Sequence, residues 1–127
     1  VLVIGGAGYI GSHAVLELCE NGHSVAVFDN LSTGHLINID SRVKFIQGDI
    51  LNNDDLKDVF NGKFDAVFHF AALKAAGESM LEPGKYATSN ITGTINILNQ
   101  MVENNVTNFV YFLSPSKNQC RRLVFDF

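Results

Sequence analysis

Apolar and polar positions along this chain alternate in blocks, and the blocks have two different periods. VLVI at residues 1–4 is a short continuous apolar run, the pattern of a strand covered on both faces. Ile10, Ala14, Val15 and Leu18 then recur at helical spacing as far as Asn21-Gly22, a helix stop. SVAVFD at 24–29 predicts a second strand, and VKFIQGD a third from about Val43 to Ile46. NDDLKDVF at 53–60 predicts a short helix, with Asn53 or Asp54 as its cap and Asn61-Gly62 as its end. DAVFHF at 65–70 predicts a fourth strand. From about Pro83 to Asn104 a long helix is expected, with Ile91, Ile95, Leu98 and Val102 on one stripe. NFVYFL at 108–113 predicts a fifth strand.

Strand and helix take turns throughout, without an internal repeat or a low-complexity linker. Parallel strands need a crossover helix, and such crossovers are right-handed. The expected fold class is therefore α/β, a doubly wound, Rossmann-like parallel sheet ordered 3-2-1-4-5 and truncated after the fifth strand. Residues 1–113 are read as one domain and 114–127 as a divergent tail.

Composition narrows the partners. A length of 127 residues suits one core, and 46% hydrophobic with 17% charged residues is ordinary for a soluble protein. A net charge of −4 argues against nucleic acid. No apolar run approaches the roughly 18 residues of a membrane span. No basic leader precedes the first strand, and two cysteines, Cys19 and Cys120, make no disulfide framework, so a cytoplasmic location is expected.

The candidate chemistry begins at Gly5-Gly6-Ala7-Gly8-Tyr9-Ile10-Gly11, which joins the first strand to the first helix. Gly5 permits a tight turn, Gly8 lets a pyrophosphate approach the backbone, and Gly11 lets the helix pack closely on the sheet. The helix amino terminus then presents unpaired N–H groups to the phosphates. A packing turn is the plainer reading of three glycines alone. Asp29, ending the second strand, supplies the expected context, because a carboxylate there accepts from both ribose hydroxyls of NAD and repels a 2′-phosphate. Its alternative is a turn cap in Asp29-Asn30.

With GGAGYIGSH at 5–13, DNLSTGH at 29–35, GDI at 48–50, HFAALKAAGES at 69–79 and NITGT at 90–94, the chain resembles the UDP-glucose 4-epimerases of the extended short-chain dehydrogenase/reductase family. The resemblance runs from about residue 1 to 113. It implies NAD as cofactor, a UDP-hexose substrate, a role in galactose metabolism and a possible homodimer in the intact enzyme through helices that include 83–104. By the same resemblance, Tyr9 and Ile10 close over the pyrophosphate. Asn30, Leu31, Ser32, Thr33 and Gly34 form the loop beside the ribose, and Asp49 and Ile50 edge the adenine. Phe70, Ala71, Ala72, Leu73 and Lys74 run along the nicotinamide half, and Asn90 donates to the cofactor. Lys74 read on its own is a solvated loop lysine, and Asn90 a tolerated mid-helix polar residue. Ile4 stands where the family often has threonine.

The implied reaction withdraws a hydride from C4 of the sugar and returns it to the opposite face, with a tyrosine as base. That base belongs to a Tyr-x-x-x-Lys pair, and the chain has none: Tyr9, Tyr86 and Tyr111 are followed four residues on by His13, Asn90 and Pro115. Ser114 falls where a catalytic serine is expected, although a strand-ending turn serine is the simpler reading. The four histidines have no metal-ligand spacing, so no metal is expected. Two functions follow: the cofactor portion of an epimerase, inactive by itself, or a non-catalytic NAD-binding module of the same superfamily. A chain that does not fold stably is a third possibility, since NFVYFL would present an unpaired edge.

Overall fold

The computed structural model describes residues 1–73, 76–113 and 121–125. Five parallel strands, β1 (Leu2–Ile4), β2 (Ala26–Asp29), β3 (Lys44–Gln47), β4 (Ala66–His69) and β5 (Asn108–Leu113), lie in the order β3-β2-β1-β4-β5, as the alternation predicts. A sixth strand, β6 (Arg121–Phe125), extends the sheet antiparallel to β5, from Phe109 opposite Phe125 to Leu113 opposite Arg121. The expected open edge at NFVYFL is thus paired, and by residues that periodicity left as a tail. β1 is the pivot, because it pairs with β2 on one side and β4 on the other.

Side chains alternate across the pleat and build two cores. Leu2, Ile4, Ala26, Phe28, Val67 and Phe109 face one layer with Leu56, Ile97 and Met101. These last come from α2 (Asn53–Phe60) and α5 (Gly93–Glu103). Val3, Val25, Val27 and Phe70 face the other, with Val15, Ala14 and Leu18 of α1 (Tyr9–Glu20). Helices on both faces are why these strands read as apolar runs rather than as alternating ones.

Some details differ from the pattern. The cap of α2 is Asn52, whose side chain accepts from the Asp54 N–H at 3.0 Å, one residue before the expected cap. A short helix, α3 (Ala76–Leu81), precedes α4 (Pro83–Ala87), and a π-helical turn at Thr88–Thr92 separates α4 from α5. The expected long helix is therefore three segments of continuous helical backbone with one widened turn.

Its buried face also differs. Ile91, Ile95 and Val102 are 60%, 50% and 65% exposed, while Gly93, Ile97 and Met101 face the core. The reason is Gly93: a Cβ there would run into Ile50 Cδ1, so the helix packs closely on the loop after β3 at the position where it has no side chain. Ile97 and Met101 follow at steps of four residues, and of the predicted stripe only Leu98 packs, partly buried, against the core.

His69 is fully buried on the α5 side of β4, stacked on Tyr111 with ring centroids 5.1 Å apart. Burial pushes its imidazole pKa down to about 4, so the ring is neutral in the fold. The ordinary value of 6.5 applies to the unfolded chain. Between these values the unfolded chain binds the extra proton, so this contribution to stability is intact above about pH 6.5 and lost as pH falls towards 4. Urea unfolding should show the wild type losing roughly 2 kcal/mol more than a His69→Leu variant between pH 7 and pH 5. Equal losses would remove His69 as the cause.

Candidate functional site

β1 ends at Ile4 and the chain must leave a strand that is paired on both edges. Gly5 does this with φ of +81°, and a Cβ there would lie 2.5 Å from the Ala71 backbone nitrogen. Both conditions demand glycine. The Gly11 position is closed as well, because its Cβ would strike the Gly5 carbonyl. Gly8 is different. Its φ of −75° suits any residue, and the nearest protein atom to an added Cβ is the Gly5 oxygen at 3.4 Å, an ordinary contact. Gly8 caps α1 and opens into a cavity.

That cavity has a volume of about 930 Å³ and lies past the carboxyl ends of β1, β2 and β4. Gly5, Gly8, Tyr9, Ile10 and Gly11 form its floor, with Tyr9 80% exposed. Asp29, Asn30, Ser32 and Thr33 line it from the β2 end, Asp49 and Ile50 from the β3 end, and Phe70, Ala71, Ala72 and Leu73 from the β4 exit. Leu31 and Gly34 are not among its lining residues: Leu31 holds a left-handed φ of 59°, and Gly34 is buried against Ala7. Lys74 and Ser114 lie outside the described residues.

Hydrogen bonds tie these segments together. Asp29 Oδ2 accepts from the Ala7 N–H at 3.0 Å and Oδ1 from the Leu31 N–H at 2.8 Å. One half-buried carboxylate thus fixes both the glycine turn and the loop after β2, so the cap reading of Asp29 is realised at a residue that also faces the cavity. Asn30 Nδ2 donates to Asp49 Oδ2 at 3.2 Å, joining the loops after β2 and β3. Asp49 Oδ1 accepts from the Leu51 N–H at 2.9 Å. Asn90 directs its amide at the Leu73 backbone: Oδ1 accepts from the Leu73 N–H at 2.9 Å, and Nδ2 donates to the Leu73 carbonyl at 3.1 Å. It is not a lining residue of the cavity.

Sequence reasoning passed over a further part of the cavity lining, supplied by α3, α4 and the π-helical turn. Glu78, Gly84, Lys85, Tyr86, Thr88 and Ser89 make it up. Tyr86 Oη donates to Glu78 Oε2 at 2.9 Å and Lys85 Nζ donates to Glu78 Oε1 at 2.5 Å, latching α4 to α3. These two bonds, that from Lys85 first, lower the Glu78 pKa. The available signal was spacing: Tyr86 stands four residues before Asn90 in the sequence. Among the described residues, no three His, Cys, Asp or Glu side chains are grouped as a metal would require. No described helix is long and apolar enough to cross a membrane.

A large cavity beyond the carboxyl ends, where chain order reverses between β1 and β4, defines a doubly wound α/β protein of the dinucleotide-binding kind. The chain belongs to the NAD-dependent epimerase/dehydratase family, whose family model matches residues 1–118. It is 48% identical over 117 residues to UDP-glucose 4-epimerase from Lactobacillus helveticus, covering 91% of this chain and 36% of that one. It is 40% identical over 128 residues to the bifunctional UDP-glucose 4-epimerase and UDP-xylose 4-epimerase 1 of Pisum sativum, covering 91% and 37%. The crystal structure of UDP-glucose 4-epimerase from Brucella ovis in complex with NAD superposes with a TM-score of 0.83 at 36% identity, over 92% of this chain and 38% of that one. The chain thus spans little more than a third of the length of these relatives.

The two glycines separate fold from site. Gly5→Ala should destabilise the chain by more than about 2 kcal/mol, through strain and a backbone clash. Gly8→Ala should cost under about 1 kcal/mol, the scale of a cap change. Asp29→Ala, which strands two backbone N–H groups, should cost about 1–3 kcal/mol. Denaturant midpoints check all three, and a Gly8→Ala loss as large as that of Gly5→Ala would contradict the geometry.

Proposed function

We propose that residues 1–113 are the NAD-binding portion of a UDP-glucose 4-epimerase acting on UDP-hexoses, and that this 127-residue chain binds NAD without turning substrate over. The observation behind it is Gly8, where the protein leaves room for a side chain and none is present. An open glycine at a helix amino terminus, facing a cavity, fits a ligand whose anionic group approaches the backbone. The unpaired N–H groups at the start of α1 would hold the pyrophosphate. Asp29, already oriented by Ala7 and Leu31, keeps lone pairs for ribose hydroxyls. Asp49 and Ile50 would border the adenine, and the Phe70–Leu73 segment the nicotinamide half.

NAD, when bound, supplies a hydride acceptor. The residues of this chain bind and orient it, while deprotonation of the 4-hydroxyl requires a base that the sequence does not contain as Tyr-x-x-x-Lys. The outward stripe of Ile91 in the π-helical turn and Ile95 and Val102 on α5 is the surface we assign to pairing of subunits. A non-catalytic NAD-binding module is the second reading, favoured by that same missing pair. A native gene product near 13.9 kDa would support the module, and one of about epimerase length the enzyme portion.

Thermal unfolding with NAD tests the binding. A ligand at about a hundred times its Kd stabilises by about 2.7 kcal/mol, so the wild type should shift upward in Tm. Gly8→Ala and Asp29→Ala, each compared with its own unliganded form, should show little shift. No shift for the wild type at millimolar NAD would refute the proposal, as would UDP-galactose epimerisation by the purified chain refute its inactive part.

A further inference from the structure

A hydrogen-bonded chain runs from the core to the cavity wall without using any exposed group. His69 Nε2 lies 3.0 Å from Thr94 Oγ1, and the Thr94 hydroxyl donates to the Asn90 carbonyl at 2.7 Å. The threonine has one proton and gives it to Asn90, so the proton between it and the imidazole comes from His69 Nε2. Among the described residues the buried Nδ1 is then a bare acceptor without a partner. A buried polar atom left in that state costs free energy, which an apolar residue at the same place would avoid. The arrangement therefore calls for an explanation beyond filling the core.

The geometry points to His69 and Thr94 as positioning residues: through Asn90 they set the backbone at Leu73, and so the shape of the cavity wall beyond β4. Three features carry this. Asn90 and Thr94 flank the end of the π-helical turn at Thr88–Thr92, an irregular turn that must be held in place, since the regular helical ladder is broken there. Asn90 uses both ends of its amide on one residue, Leu73, so any rotation of the turn moves Leu73 with it. Leu73 lies four residues past the end of β4, in a segment with no sheet partner among the described residues. His69 is the anchor of the chain because β4 is paired on both sides and its ring is clamped against Tyr111 and Phe109. The neutral ring that burial enforces keeps Nε2–H as the single donor across the range where the fold is stable. The influence on binding rests on the NAD reading above; the clamp on Leu73 does not.

Amide hydrogen exchange separates the two. In Thr94→Val, which keeps the shape and removes the hydroxyl, the Leu73 amide should exchange about tenfold faster, while Val67 and Phe68 in β4 keep their protection. Thr94→Ser should restore Leu73. His69→Leu should act like Thr94→Val, and His69→Gln, whose amide nitrogen can take the place of Nε2, should recover protection. NAD affinity should weaken about fivefold in Thr94→Val and return in Thr94→Ser. Unchanged Leu73 exchange in Thr94→Val, or acceleration shared equally by β4, overturns the clamp. Lost Leu73 protection with undiminished NAD affinity overturns its role in the site. If the wild type binds no NAD, the cofactor reading fails, and Leu73 exchange still decides whether His69 and Thr94 set that backbone.

Discussion

Everything at the carboxyl end of this sheet follows from the confinement of β1. A strand hydrogen-bonded on both edges has no lateral exit, so the chain must turn upward at once, over the backbone that leaves β4. Only a residue without Cβ can take a φ of +81° within contact of Ala71. That turn sets α1 with its amino terminus at the crevice, and Asp29 then holds the turn from the neighbouring strand through Ala7. The helix end at the cavity and the carboxylate beside it are thus one mechanical unit. Altering either disturbs the other.

The family model covers this unit, matching residues 1–118, and the chain spans about a third of the length of its relatives. In the epimerase reading, binding and orientation are separable from proton transfer. The glycine turn and Asp29 line the cavity, and Asn90 holds the backbone of its lining residue Leu73. The 127 residues contain no tyrosine followed four positions on by lysine, the spacing that the proposed proton transfer calls for.

Strand order was legible in the sequence because β1, β2 and β4 are covered on both faces, which leaves unbroken apolar runs such as VLVI. The glycine turn and Asp29 were legible because backbone geometry forces residue identity there. What stayed hidden depended on contacts between distant segments. Two apolar stripes run along residues 91–102, and the packing of Gly93 against Ile50 buries the Ile97–Met101 line while Ile91, Ile95 and Val102 stay exposed and Leu98 lies between. Asn90 reads as a polar residue in a helix until the π-turn brings its amide to Leu73. β6 was unreadable because antiparallel pairing to an edge depends on the edge, not on its own weak pattern.

The most direct test of the account is a titration of the isotope-labelled chain with NAD, followed by backbone amide chemical shifts. The account predicts saturable changes centred on Gly8–Gly11, Leu31–Thr33 and Ala71–Leu73, with the amino-terminal ends of the strands unaffected. Absence of change at millimolar NAD, or changes centred on the outer face of α5, would contradict it.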